Sequence, residues 1–227
     1  MSLFTSTMLQ EWIRDLITDI HPGSGSLQCS GGIMLMTSPD MELSPEYLYI
    51  GEPDTILEFL KRDPDIRPGT FLISAGLIYP FSDSLPECLT IMETRQALLP
   101  LYNRVHEHLH RFRIWDEELH HIVYTNGGLQ TLLEHAYQEL HATILLLNSG
   151  YKHIASVYDP DIIDPTADEL RENGYQSYDT IQTIHHEPAV KWGENREFAE
   201  YISSISGNYT IVRLIHYHGE LVARLCV

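Results

Sequence analysis

Residues 127 to 186 read GGLQTLLEHAYQELHATILLLNSGYKHIASVYDPDIIDPTADELRENGYQSYDTIQTIHH, and this stretch decides how the chain folds. After the Gly-Gly break, the spacing predicts a short amphipathic helix over 128–140 and an apolar strand over 142–148. Asn148-Ser149-Gly150 is a polar turn, and 151–157 a second strand. An acidic, Pro-containing loop then leads to helices near 166–173 and 178–185. Between these, Gly174 suits a helix C-cap in the left-handed region, and Ser177 suits the N-cap of the next helix. A further helix is expected near 195–205. NYTIVRLIHYH and ELVARLCV follow as a closing hairpin. Antiparallel strands interrupted by helices imply an α+β unit over 126–227, a sheet with flanking helices.

Upstream the pattern differs. TSTMLQEWIRDLITDI (5–20) places Met8, Leu9, Trp12, Leu16 and Ile20 at helical spacing, with Thr5 or Ser6 able to cap it. GIMLMT (32–37), EYLYIGE (46–52) and RPGTFLISAG (67–76) read as buried strands, with CLTIM (88–92) as a further one. Pro53 stands where a first helical residue belongs, opening a helix through Leu60. Strand–helix–strand at this spacing predicts a small α/β module over 1–95 with at least one parallel pair. Residues 96–125 then form a linker helix. Leu101, Val105, Phe112, Trp115, Leu119 and Ile122 follow an a/d stripe, interrupted by His108, along about 36 Å at 1.5 Å per residue. A stripe of this length fits a homodimer interface, or a helix laid along its own domain.

Composition narrows the partners. The net charge of −18, from 32 acidic and 14 basic residues, opposes contact with phosphates, and RFR at 111–113 is the densest basic run; the chain is not expected to bind nucleic acid itself. No apolar run approaches the length of a membrane span, and the N-terminus lacks a charged region before an apolar one, so no membrane association is expected. Cys29, Cys88 and Cys226 lie far apart without CxxC spacing, as reduced thiols of a cytoplasmic protein do.

HEHLH at 106–110 is a literal H-E-x-x-H. On a helix it sets His106 and His110 on one face as candidate zinc ligands, with Glu107 as general base. The residues where a Gly and a third His would follow are Arg113 and Asp116, and a solvated helix face accounts for the motif as well. His216 and His218 alternate along the first hairpin strand, with Tyr217 opposite. The pairs His120-His121 and His185-His186 make poor chelates. No nucleophile–base constellation and no phosphate loop stands out, so no catalytic residues and no cofactor are assigned.

The stretch resembles the GAF-like sensor module of PucR/CdaR-type bacterial transcriptional regulators. Their run "GLQ-L---A---L---I-LL(D/N)---(K/R)-IA" is met by 128–155, and "(E/D)L---GY-S-(D/E)-I" by 169–181. EYLYIGEPDTI and GTFLISAG resemble the segment preceding that module. The family's C-terminal helix-turn-helix is missing from this sequence, and Ala223 stands where a glycine is usual. The resemblance implies a GAF/PAS-like domain that binds a small metabolite effector, dimerises, catalyses nothing, and leaves DNA contact to the helix-turn-helix. Its cavity is expected between the sheet and the helices of 160–205, with Tyr158, Tyr175, His216 and His218 as the nearest polar groups. The alternatives are a zinc-dependent hydrolase centred on His106 and His110, and a dimerisation scaffold without a ligand.

Overall fold

The computed structural model describes residues 5–24, 31–62, 65–78, 85–187 and 198–227. It divides into two compact units, Met1–Asp116 and Glu117–Val227. Cys29, part of the 80–86 loop and the start of the helix expected near 195–205 lie outside the described residues.

The first unit is built on strands β1 (Ile17–His21), β2 (Gly32–Met36), β3 (Tyr47–Gly51), β4 (Thr70–Ala75) and β5 (Leu89–Thr94), in the order β1-β5-β4-β3-β2. β2 to β5 are parallel, and β1 closes the edge antiparallel to β5. Helix α1 is Ser6–Trp12, capped by the Thr5 hydroxyl, which accepts from the Met8 amide. The stretch read as one helix to residue 20 therefore stops at Trp12, and its second half is β1. Ile17 and Ile20 fit a strand that pairs with β5 across a bulge, and this pairing prevails over helical spacing. Between β3 and β4, α2 (Pro53–Lys61) begins on Pro53 as expected.

Alternation along the parallel strands feeds two cores. Leu48, Ile50, Phe71, Ile73 and Met92 face one side, with Leu9 and Ile13. Tyr49, Leu72, Leu89 and Ile91 face the other, with Ile56 and Phe59 of α2. A parallel sheet covered on both faces gives near-continuous apolar strands, which is how 46–52 and 67–76 read.

α3 runs Leu98–Tyr124, close to the expected span, and the boundary between the units falls within it. Its buried positions are Leu101, Val105 and Leu109, which join the first core of unit 1. The start of the expected a/d stripe is thus intramolecular. Leu109 takes the buried place, while His108 stacks its ring on Trp12 at 5.7 Å.

The second unit carries α4 (Leu129–Leu140), β6 (Ile144–Asn148), β7 (His153–Val157), α5 (Pro165–Asn173), α6 (Tyr178–His186), β8 (Phe198–Ile202), β9 (Tyr209–Tyr217) and β10 (Glu220–Cys226). The sheet is antiparallel throughout, in the order β7-β6-β10-β9-β8. The first and last strands of the unit thus lie side by side at the centre. This is an α+β unit with the expected antiparallel sheet and flanking helices. Gly174 ends α5 with φ 75°, and the Ser177 hydroxyl caps α6 by accepting from the Thr180 amide. Phe198–Ile202 is a strand where a helix was expected; its residues alternate in exposure and pair with β9 from Phe198↔Arg213 to Ile202↔Tyr209.

α4 packs on one face of this sheet, against Ile144, Leu146, Ala155 and Ala223. The Gln130 carboxamide also accepts from the Ser156 amide (3.2 Å) and donates to the Ser156 carbonyl (2.9 Å), tying α4 to edge strand β7. Helices α5 and α6 lie over the opposite face.

Candidate functional site

On that opposite face, alternation directs Leu145 and Leu147 of β6, Arg224 and Cys226 of β10, Thr210, Val212 and Leu214 of β9 and Tyr201 of β8 into one space. Ile162, Asp164, Thr166, Gln176 and Ile184 roof it from the 160s loop and the helices. Leu145, Leu147 and Tyr151 pack with Ala167 and Leu170 of α5, but this contact fills only part of the gap. A cavity of about 300 Å³ remains, at the lower end of the range for small-molecule sites.

Its walls are mostly apolar, and the polar groups among them are specific. Arg224 lays its guanidinium over the Tyr151 ring, 4.0 Å from the centroid, and its Nη1 donates to the carbonyls of Ser149 (2.7 Å) and Asn148 (3.3 Å). Tyr151 itself has φ 60°, and its hydroxyl lies 3.2 Å from His185 Nε2. Asp164 caps α5: Oδ1 accepts from the Thr166 amide (2.9 Å), the Thr166 hydroxyl (2.7 Å) and the Ala167 amide (3.4 Å). Gln176 is only 6% exposed, and its Oε1 is buried with no hydrogen-bond donor among the described residues.

Two acidic protons share this wall. Burial pushes the Cys226 thiol up to about 12, with Arg224 acting against the rise and Asp164 adding to it. Cys226 keeps some accessible surface because it lines the cavity, yet it is surrounded deeply enough for the anion to be disfavoured. The Tyr201 phenol is likewise raised, first by burial and then by Cys226, Glu187, Tyr151 and Asp164. At neutral pH both groups are neutral.

The four groups nominated from the sequence lie elsewhere. Tyr158 borders a separate depression beside Asp159 and Arg171, with the Arg171 guanidinium 5.3 Å from its ring centroid. Tyr175 is 57% exposed; its neighbour Gln176 is the one turned inward. His216 keeps the parity of Val212 and Leu214 but is exposed and outside the cavity lining. His218 is not on the strand: with Gly219 it forms a two-residue turn at φ 50° and 84°, the positive pair that closes a tight hairpin. The cavity lies between the sheet and the helices, where the resemblance implies one, and Tyr158, Tyr175, His216 and His218 are not among the residues that line it.

Of the groups that were missed, Arg224 leaves a readable trace. It is the lone cation in LVARLCV, two residues from Cys226, so both fall on one strand face. Tyr201 was hidden by the helical reading of its segment. Gln176 carries no such signal, because its burial follows from the path of the chain between α5 and α6.

In unit 1, His106 and His110 are both exposed, their rings 6.5 Å apart. No group of three or more His, Cys, Asp or Glu side chains suited to a metal ion occurs among the described residues. A hollow of about 460 Å³ lies beside the 39–43 loop; it is larger, but Arg62 there already pairs with Asp40. No helix among the described residues is long and apolar enough to cross a membrane.

No family model and no curated protein matches the chain.

Proposed function

We propose that this chain is the ligand-sensing and dimerising region of a cytoplasmic bacterial transcriptional regulator of the PucR/CdaR type. It binds a small metabolite in unit 2 and catalyses no reaction. DNA contact belongs to a helix-turn-helix supplied elsewhere, because 32 acidic against 14 basic residues disfavour phosphate contact.

The observation that carries this reading is the cavity between sheet and helices, with the buried Gln176 Oε1 in its wall left without a partner among the described residues. A scaffold has no use for a hollow lined by an unsatisfied carboxamide, since side chains filling the space would stabilise it more. Occupying the cavity also supplies a means of transmission, because α5 and α6 form its roof and a ligand would change how they pack.

A thermal-shift screen of purine, amino-acid and sugar-acid metabolites tests the reading. A ligand at a hundredfold excess over its Kd adds about 2.7 kcal/mol to stability, enough to raise the melting midpoint of unit 2 by roughly 10 °C. A hit abolished by filling the cavity supports the sensor. No shift with any class overturns it in favour of the scaffold.

The dimer has two apolar surfaces to draw on. The start of the α3 stripe is consumed by the unit 1 core, whereas Val123 and Tyr124 near its end are exposed. On unit 2, Ile202, Tyr209, Ile211 and Ile215 are exposed on the sheet face that α4 leaves uncovered. We assign the interface to this sheet face.

A further inference from the structure

We infer that the cavity of unit 2 selects a small carboxylate bearing a hydrogen-bond donor, its carboxylate held by Arg224 and its N–H or O–H group by Gln176 and Asp164. This deepens the sensor reading and rests on it.

Arg224 carries the first half of the argument. A guanidinium has five N–H donors in a planar fork. Among the described residues only Nη1 makes hydrogen bonds, and these go to two main-chain carbonyls. No carboxylate pairs with Arg224 among the described residues, in a chain whose acidic residues outnumber its basic ones by 32 to 14. A half-buried cation without a counter-ion is a cost to the fold. The guanidinium is also held in place, stacked at 4.0 Å on Tyr151 and anchored to the turn at 148–149. A fixed fork with Nε and Nη2 uncommitted is suited to the two oxygens of a carboxylate.

Gln176 and Asp164 carry the second half. Gln176 Oε1 is a buried acceptor in the cavity wall that no donor among the described residues satisfies. Asp164 spends Oδ1 on three donors at the start of α5, and among the described residues no hydrogen bond is made to Oδ2. The lining therefore carries groups of both kinds: Arg224 offers donors and a positive charge, and Gln176 and Asp164 offer acceptors and a negative charge. A ligand with an anionic group alone would leave Gln176 unsatisfied and meet Asp164 with no compensation. Leu145, Leu147, Val212 and Leu214 add apolar surface for a short hydrocarbon or ring body, and about 300 Å³ limits that body to metabolite size.

The test titrates the full chain with metabolite-sized carboxylic acids bearing amine, amide or hydroxyl groups, each beside its neutral carboxamide twin. Thermal shift and ligand-observed NMR read the binding. The expected result is binding of acids that falls roughly tenfold or more in the twin and in Arg224→Gln, in line with the greater strength of charge-assisted bonds. Arg224→Lys keeps the charge without the fork, and should bind more weakly while still preferring the acid to its twin. Gln176→Leu removes the orphaned acceptor, so the ligand-free melting temperature should hold or rise while affinity falls; a purely structural role for Gln176 would lower stability instead. Ligands that bind equally well as acid and carboxamide, and are indifferent to Arg224→Gln, overturn the carboxylate inference and leave the sensor reading standing. Absence of binding by every acid and every twin removes both.

Discussion

Both halves of the molecule are built on five-stranded sheets, and they treat their faces in opposite ways. In unit 1 the parallel strands bury both faces, one under α1 and the start of α3, the other under α2. In unit 2 the antiparallel sheet is covered on one face by α4 over β6, β7 and β10, while β8 and β9 stay bare. Its other face is roofed by α5 and α6 with a hollow beneath them. Tight packing is what stabilises a fold, so a hollow and a bare face are departures that need a use. On the proposed reading, unit 2 is the part that meets other molecules.

The largest effect should come from opening a cavity where none exists. Leu72 is fully buried at the centre of the parallel sheet, and Leu72→Ala should cost about 2–5 kcal/mol in urea unfolding of unit 1. Leu214 already borders empty space, so truncating it removes few contacts, and Leu214→Ala should cost clearly less. Equal losses for the two would mean that the space beside Leu214 is filled in solution.

The two units should also fail at opposite ends of the pH scale. Cys226 is raised from 9.0 to about 12 in the folded chain, so the folded state holds that proton more tightly than the unfolded chain. The stability this gives is full below pH 9 and is lost as pH rises towards 12; the raised Tyr201 acts in the same direction. His108 in unit 1 is lowered from 6.5, first by burial and then by Arg111 and Arg104. Its contribution is full above pH 6.5 and is lost as pH falls through the lowered value. Melting curves across pH should show unit 2 weakening on the alkaline side, and Cys226→Ser should shift that edge. His108→Gln should shift only the acid edge of unit 1.

Filling the hollow is a smaller change of the opposite sign. Val212→Phe puts a ring into the cavity, and should raise the ligand-free stability of unit 2 by about 0.5–2 kcal/mol while abolishing any ligand-induced shift. A fall in stability would show that the walls cannot accept the added volume.

The contrast between the units also explains what the sequence made legible. Buried strands such as YLYIG and TFLISA announce themselves by continuous apolarity, and Pro53, Gly174 and Ser177 by cap chemistry that depends on one or two neighbours. β1 was missed because ITDIH carries a helix-compatible spacing, and only its pairing with β5 decides the matter. β8 was missed because FAEYI gains its strand identity from β9. The site was half legible. Its place was implied by the resemblance, whereas its polar groups depended on which residues the roof turns inward. Tyr175 and Gln176 are adjacent, and only the backbone between α5 and α6 determines that the glutamine is buried and the tyrosine is not.

The bare face gives the smallest effect on stability and the sharpest test of the dimer. Ile211 stands on the outer side of β9 opposite Glu200 of β8, with Ile202 paired to Tyr209 at the end of the strands. It is 40% exposed, so Ile211→Lys should change the stability of the folded unit by no more than about 0.5 kcal/mol. In a dimer joined through this face, however, the ammonium would be buried against apolar surface, a cost that association cannot absorb. Light scattering should therefore find a dimer for the natural chain and a folded monomer for the variant. Phe112→Asp, the change the α3 stripe would suggest, is a poorer test. Phe112 packs against the core of unit 1, so a monomer obtained that way could reflect damage to the fold. A dimer that survives Ile211→Lys and dissociates on Val123→Lys would move the interface to the exposed end of α3. A natural chain that is monomeric at high concentration would leave the bare face to a different partner and remove dimerisation from the proposal.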